Sequence, residues 1–168
     1  RLIIDGSNQG TGLMTIKENG SLSGKGTIAG DVVVSGSVQA DLSASGSCQP
    51  LTIKGKLTAN NATLVINMED VTGTIADDTE IKVFNLASAI QGTGFTDIQP
   101  ATPSATQLWD TSLLATKGII KVVSNVANGI STPSANNTSS SAIYDLTGKK
   151  TSSPKGLYIK DGKKHIAR

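Results

Sequence analysis

Two hexapeptides 25 residues apart, Thr27-Ile28-Ala29-Gly30-Asp31-Val32 and Thr52-Ile53-Lys54-Gly55-Lys56-Leu57, constrain this chain more than any other feature. Each sets aliphatic residues on either side of a glycine, and self-similarity at a fixed period of roughly 20 to 50 residues marks stacked repeats. In a coil of such rungs Ile28 lies above Ile53 and Val32 above Leu57, in a narrow aliphatic interior. Gly30 and Gly55 are then expected at corners, where glycine tolerates a positive φ.

The surrounding sequence agrees. Between Leu13 and Ile66, short alternating runs are separated by Gly or Asn: Met14–Ile16, Gly26–Ile28, Asp31–Val34, Leu51–Ile53 and Ala62–Ile66. Hairpin sheets favour longer strands and Asn-Gly or Asp-Gly turns, and here Asn19-Gly20 alone qualifies. Aromatic residues make up 3% of the chain, and Gly, Ser, Thr and Asn fill the space between aliphatic positions. Helical spacing of apolar residues is almost absent; the nearest case, Leu108–Ala115, carries Trp, Asp, Thr and Ser, which disfavour more than one turn.

From residue 71 the glycine rhythm stops, and Phe84, Phe95, Trp109, Pro100 and Pro103 enter. The exposed end of a stack of rungs needs a unit to cover its apolar interior and unpaired backbone. The sequence therefore divides into β-solenoid rungs over 1–70, a capping unit over 71–127 with strands near Glu80–Phe84 and Gly118–Val123, a Ser/Thr/Asn-rich linker over 128–141, and a C-terminal β tag over 142–168. In the tag, Leu157–Lys160 and Lys163–Ile166 flank Asp161-Gly162, a type I′ hairpin signal.

The net charge of +2 conceals an asymmetry: residues 149–168 hold seven Lys or Arg against one acid, and the rest hold eight against twelve. Such a tail reads either as a contact for an anionic polymer or as an exposed edge strand whose lysines oppose sheet-to-sheet aggregation. One cysteine, Cys48, excludes an intrachain disulfide and reads as a small buried filler. No apolar run reaches the roughly 18 residues that span a bilayer. Arg1 leads directly into the strand-like Leu2-Ile3-Ile4, which suggests that more of the polypeptide lies upstream.

Residues 20–123 resemble the end of an autotransporter-type passenger repeat region. The matching residues are Gly24 to Val32, then Phe95–Ile98 with Pro100 and Pro103, Trp109-Asp110-Thr111-Ser112-Leu113, and a last strand at Gly118–Val123. That resemblance implies a right-handed parallel β-helix outside the cell. Residues 142–168 resemble the end of the C-terminal sorting domain of the Bacteroidetes type IX secretion pathway, through Ile143–Lys149, Lys155–Ile159 and a Lys-rich final strand. The earlier strands of that domain, heralded by an Asn-Pro element, have no counterpart, so the tail is a shortened relative.

Reactive groups are scattered. His165 has no acid or Ser at motif spacing, and Gly24-x-Gly26 lacks the helix of a dinucleotide site. No catalytic residue, resident metal or cofactor is expected. The densest acids are Glu69, Asp70, Asp77, Asp78 and Glu80; Asp77, Asp78 and Glu80 are the best oxygen ligands for Ca²⁺, although their spacing matches neither an EF-hand loop nor the nonapeptide Gly-Gly-x-Gly-x-Asp repeat. Trp109 is the candidate ligand contact, able to stack on a sugar or, as an apolar residue, to close the rung interior. Asp110 is placed to accept from the Ser112 amide in an Asx turn. Asn60, Asn61 and Asn67 are candidates for a stacked turn ladder. The sequons Asn61-Ala-Thr63, Asn136-Asn-Thr138 and Asn137-Thr-Ser139 matter only in a glycosylating host.

The expected fold class is all-β: a short right-handed parallel β-solenoid with a β capping unit and a small antiparallel C-terminal hairpin sheet. The expected function is non-catalytic: the structural or display end of a larger secreted or cell-surface protein. Its partners would be the upstream part of the polypeptide, secretion machinery or a cell-surface glycan, with no nucleic acid and no transmembrane segment. Alternatives are an adhesin or glycan-binding module, and the non-catalytic terminal part of a polysaccharide-degrading β-helix enzyme.

Overall fold

The computed structural model of the chain describes residues 1–125 and the strands at 143–145, 150–151, 156–160 and 163–167. Two compact units result, Arg1–Ala127 and Asn128–Arg168.

In the first unit the chain winds through three parallel sheets in turn. One circuit is β1 (Leu2–Ile3), β2 (Ser7–Asn8) and β3 (Met14–Ile16); the next is β4 (Ser21–Ser23), β5 (Thr27–Ile28) and β6 (Val32–Val34). The third is β7 (Ser37–Asp41), β8 (Leu51–Ile53) and β9 (Leu57–Ala59). After β10 (Ala62–Asn67) and β11 (Glu80–Lys82), which leaves the coil, come β12 (Phe84–Leu86), β13 (Gln91–Gly92) and β14 (Phe95–Gln99). Sheet A is ordered β1-β4-β7-β10-β14, sheet B β2-β5-β8-β12 and sheet C β3-β6-β9-β13.

The register follows the internal repeat: Thr27 pairs with Thr52, Ile28 with Ile53 and Val32 with Leu57. Alternate residues of each strand face a common interior. Leu22, Val38 and Leu64 lie in one column of sheet A, and each is at most 1% exposed. At about 25 cal/mol per Å² of apolar surface, burying each such side chain is worth roughly 1.5–3 kcal/mol.

The glycines of the repeat act differently from expectation. Neither Gly30 nor Gly55 has a positive φ. A Cβ on Gly30 would strike the carbonyl oxygen of Gly12 in the rung below, and one on Gly55 would strike that of Gly30. The two are glycine because successive corners stack backbone on backbone, which leaves no room for a methyl group.

Long excursions leave the corner between sheets A and B on consecutive rungs. Residues 42–50 and 68–83 pack together: the Thr72 amide and hydroxyl both donate to the Ala44 carbonyl at 3.1 Å, and Ile75 lies on Gly46. The second excursion ends in β11, which joins β15 (Gln107–Asp110) and β16 (Ile119–Ser124) in an antiparallel sheet ordered β11-β16-β15. Between the last two lies α1 (Leu114–Lys117), a single turn. Its C-cap, Gly118, has φ +68, and its carbonyl accepts from both the Val83 and Phe84 amides. A side chain there would be strained by the left-handed backbone and would meet Phe84 Cβ at 2.8 Å.

The division expected at residue 70 cuts across the sheets, because β12, β13 and β14 extend the same three parallel ladders. Phe84 pairs with Leu51 in sheet B, and its ring stacks on Phe95 of β14 with centroids 5.6 Å apart. Thicker side chains therefore enter the last rung itself.

In the second unit β17 (Ile143–Asp145), β18 (Lys150–Thr151), β19 (Gly156–Lys160) and β20 (Lys163–Ala167) form an antiparallel sheet ordered β18-β17-β19-β20. Register places Lys160 opposite Lys163 and Tyr158 opposite His165. The expected Asp161-Gly162 turn, the 128–141 linker and the sequons at Asn136 and Asn137 lie outside the described residues. Among the described residues no helix is long and apolar enough to cross a membrane.

Candidate functional site

The acidic group named as a Ca²⁺ candidate is drawn into the antiparallel sheet. Asp77 accepts from Gln107 Nε2 at 2.6 Å, and the same amide nitrogen donates to the Ile75 carbonyl at 2.7 Å. Gln107 is only 4% exposed, so its amide needs these partners. Asp78, at φ +67, receives Lys121 Nζ at 2.7 Å, and Glu80 lies opposite Lys121 in the β11–β16 register. The Asp78 carboxylate, by hydrogen bond and by charge, holds the Lys121 ammonium above its ordinary value, with Glu80 and Asp110 adding to the effect. Lys121 is thus the cation at the centre of these acids. Among the described residues, no three His, Cys, Asp or Glu side chains converge as a metal ion requires.

Trp109 is half-buried against the core, opposite Val122, and its indole Nε1 donates to the Pro100 carbonyl at 3.0 Å. Its polar edge is therefore occupied, and the buried part of its ring packs against the core. The neighbouring Asx turn forms: the Ser112 amide donates to Asp110 Oδ1 at 2.8 Å and pulls the Asp110 carboxyl below the usual carboxylate range.

The asparagines do not stack as one ladder. Asn60 and Asn61 are exposed at a corner, Asn61 with φ +50, whereas Asn67 lies on sheet A and donates to Asp41 Oδ1 at 2.9 Å. Cys48 is half-buried, and desolvation, with help from the Asp41 charge, pushes its thiol up to about 11. At neutral pH it is therefore held almost wholly as the protonated thiol.

Compared with protein-family models, with curated proteins and with solved structures, the chain matches none.

One surface was not singled out from sequence: the outer face of sheet A. Strands β5, β6, β8 and β9 present a single outward residue each, Thr27, Val33, Thr52 and Thr58. Sheet A is wider. Ser21, Ser37, Thr63 and Asp97 align in one outward row; Gln39, Val65 and Gln99 align in a second; Asp41 and Asn67 align in a third. Gln39 Nε2 donates to Asp41 Oδ1 at 2.6 Å and Gln99 Nε2 to Asp97 Oδ2 at 2.8 Å, while Asn67 Oδ1 accepts from the Glu69 amide at 3.1 Å. The signal that could have found this face is the alternation in Ser37–Asp41 and Ala62–Asn67, where every second residue is polar or β-branched.

Proposed function

We propose that this chain is a non-catalytic structural and display unit at the end of a larger extracellular or cell-surface protein. The single observation that supports this most is the use made of the side chains able to do chemistry. Asp77 is spent on Gln107, Asp78 on Lys121 and Asp110 on the Ser112 amide, and Asp31 accepts from the Lys56 amide one rung away at 2.7 Å. Each joins strands, rungs or turns.

In this reading the coil is right-handed, and α1 with β16 closes the last rung, as in the autotransporter-type passengers that residues 20–123 resemble. Contacts of that kind support it: the Ile90 amide donates to the Ala115 carbonyl at 2.7 Å, and the Phe84 amide to that of Gly118 at 3.1 Å. The first rung contrasts with this, since Leu2, Ile3 and Leu13 are 40%, 54% and 65% exposed. An apolar rung end of this kind suits continuation by further structure. The 142–168 sheet serves as a shortened relative of the type IX sorting tail.

Antibodies raised against residues 1–127 should label intact cells of the source organism without permeabilisation, and deletion of 142–168 should reduce that labelling. Labelling that requires permeabilisation overturns the surface assignment; full labelling without the tail overturns its sorting role alone.

A further inference from the structure

We propose that the outer face of sheet A binds a neutral polysaccharide laid across the strands, a property independent of the display role above. Parallel pairing sets neighbours within a row about 4.8 Å apart, and successive rows along the strands are about 6.6 Å apart, so the face is a regular two-dimensional array. What the array carries is amide, hydroxyl and carboxylate. The chemistry matches sugar hydroxyls, which donate and accept at once and which Asn, Gln and Asp side chains engage in pairs.

The amides are already held in place. Asn67 is fixed at both ends, by Asp41 and by the Glu69 amide, and Gln39 and Gln99 each donate one hydrogen to a carboxylate on the same strand. Each Gln keeps its second N–H and its carbonyl for a ligand, and fixing them beforehand lowers the ordering cost of binding. An open groove of about 560 Å³ runs over this part of the face, lined by Gln39, Val65, Asn67, Gln99 and Pro100 with Arg1 at its rim. Val65 and Pro100 supply the apolar floor on which the C–H surface of a sugar ring rests.

Charge selects the class of polymer. Asp41, Glu69 and Asp97 are exposed on or beside the face, and Arg1 is engaged with Ser23 Oγ at 3.0 Å and Asp41 at 3.8 Å. A surface so charged repels nucleic acid and sulfated or uronic glycans, which leaves an uncharged chain as occupant.

Affinity electrophoresis of the full chain through gels containing hydroxyethylcellulose, β-1,3-glucan or galactomannan, with heparin titration alongside, tests this. At least one neutral polymer should retard the protein. Gln39→Ala with Gln99→Ala should weaken retardation about tenfold, the loss of two neutral hydrogen bonds. Val65→Arg, which fills the groove from an outward position, should do the same, and Thr58→Ala, on the outer face of sheet C, should not; circular dichroism should confirm that each variant is folded. Retention by none of the three polymers, retention that survives both face variants, or heparin binding that the face variants weaken overturns the proposal.

Discussion

The parallel stack and the antiparallel sheet β11-β16-β15 belong to one compact unit, yet they solve the same packing problem in opposite ways. In the stack, backbone meets backbone at corners and small aliphatic columns fill a narrow interior. In the antiparallel sheet, Ile81, Ile120 and Val122 are buried, and polar side chains, Gln107 with Asp77 and Lys121 with Asp78, fasten the edges. Close backbone approach makes the stack intolerant of added volume. Side-chain fastening makes the sheet sensitive to lost charges and hydrogen bonds. The difference is testable at single atoms.

The largest effect is expected from one methyl group at a stacked corner. Gly12, Gly30 and Gly55 occupy equivalent corners, but a Cβ on Gly12 meets nothing within 4 Å among the described residues. Gly30→Ala should cost about 3 kcal/mol in urea unfolding, at the upper end for overpacking because the obstacle is backbone. Gly12→Ala should stay within about 0.5 kcal/mol of the parent. Equal costs would show that the corners relax freely and would remove the contrast drawn above.

Core truncation comes next. Leu64, fully buried between Val38 and Ile98, should lose about 3–4 kcal/mol on change to Ala, whereas Ile120→Val, in the centre of the antiparallel sheet, should lose about 1 kcal/mol. Hydrogen exchange sharpens the comparison. If stack and sheet unfold together, Leu64→Ala lowers protection in β16 as much as in β7; protection lost in β7 alone makes them separate cooperative units.

The stack was legible because its rule is local. A strand such as Leu51-Thr52-Ile53 declares its buried, outward, buried pattern in three residues, and the offset of 25 gave its partner. Strands β4 and β7 were not singled out, since Ser21-Leu22-Ser23 is too short to show a period and the alternation of Ser37–Asp41 carries only Val38 and Ala40 as aliphatic residues. Their strand character comes from pairing on both sides. The spacing also shifts between rungs: Leu22 stacks on Leu2, and Val38 on Leu22, at offsets other than 25, because the excursions leave from particular rungs. For the candidate sites, sequence placed the Asp110–Ser112 turn correctly because it spans three residues. It could not see Lys121 among Asp78, Glu80 and Asp110, which join only through the register of β11 and β15 against β16.

Charge effects in the antiparallel sheet should be smaller than either core change. Lys121 has a raised value in the folded chain, so its contribution is complete below its ordinary value, about 10.4, and is lost as pH climbs through the folded one. Asp110, with a lowered value, contributes above about pH 4 and ceases to contribute as acid protonates it in the fold. Both groups face solvent, so salt screens them. Lys121→Met should lower the thermal midpoint slightly at 50 mM salt, and the two proteins should converge at about 1 M; a deficit that persists at high salt points to packing of the lysine stem instead.

Cys48 should report on the junction between the two regions while changing stability least at neutral pH. It lies in the 42–50 excursion, bridged to Leu42 and half-buried against the core. Its thiol is raised from 9.0 to about 11, so the folded chain keeps a proton that the unfolded chain releases, and stability should fall only as pH rises from 9 toward 11. At pH 8 the same shift leaves about a hundredfold less thiolate than in the unfolded chain. Reaction with a chromogenic disulfide should therefore be about two orders of magnitude slower in buffer than in urea. Thr72→Val, which removes the hydroxyl bond to the Ala44 carbonyl, should speed the reaction in buffer without unfolding the stack. Unchanged thiol kinetics in that variant would mean that the bond between the two excursions does not control access to Cys48.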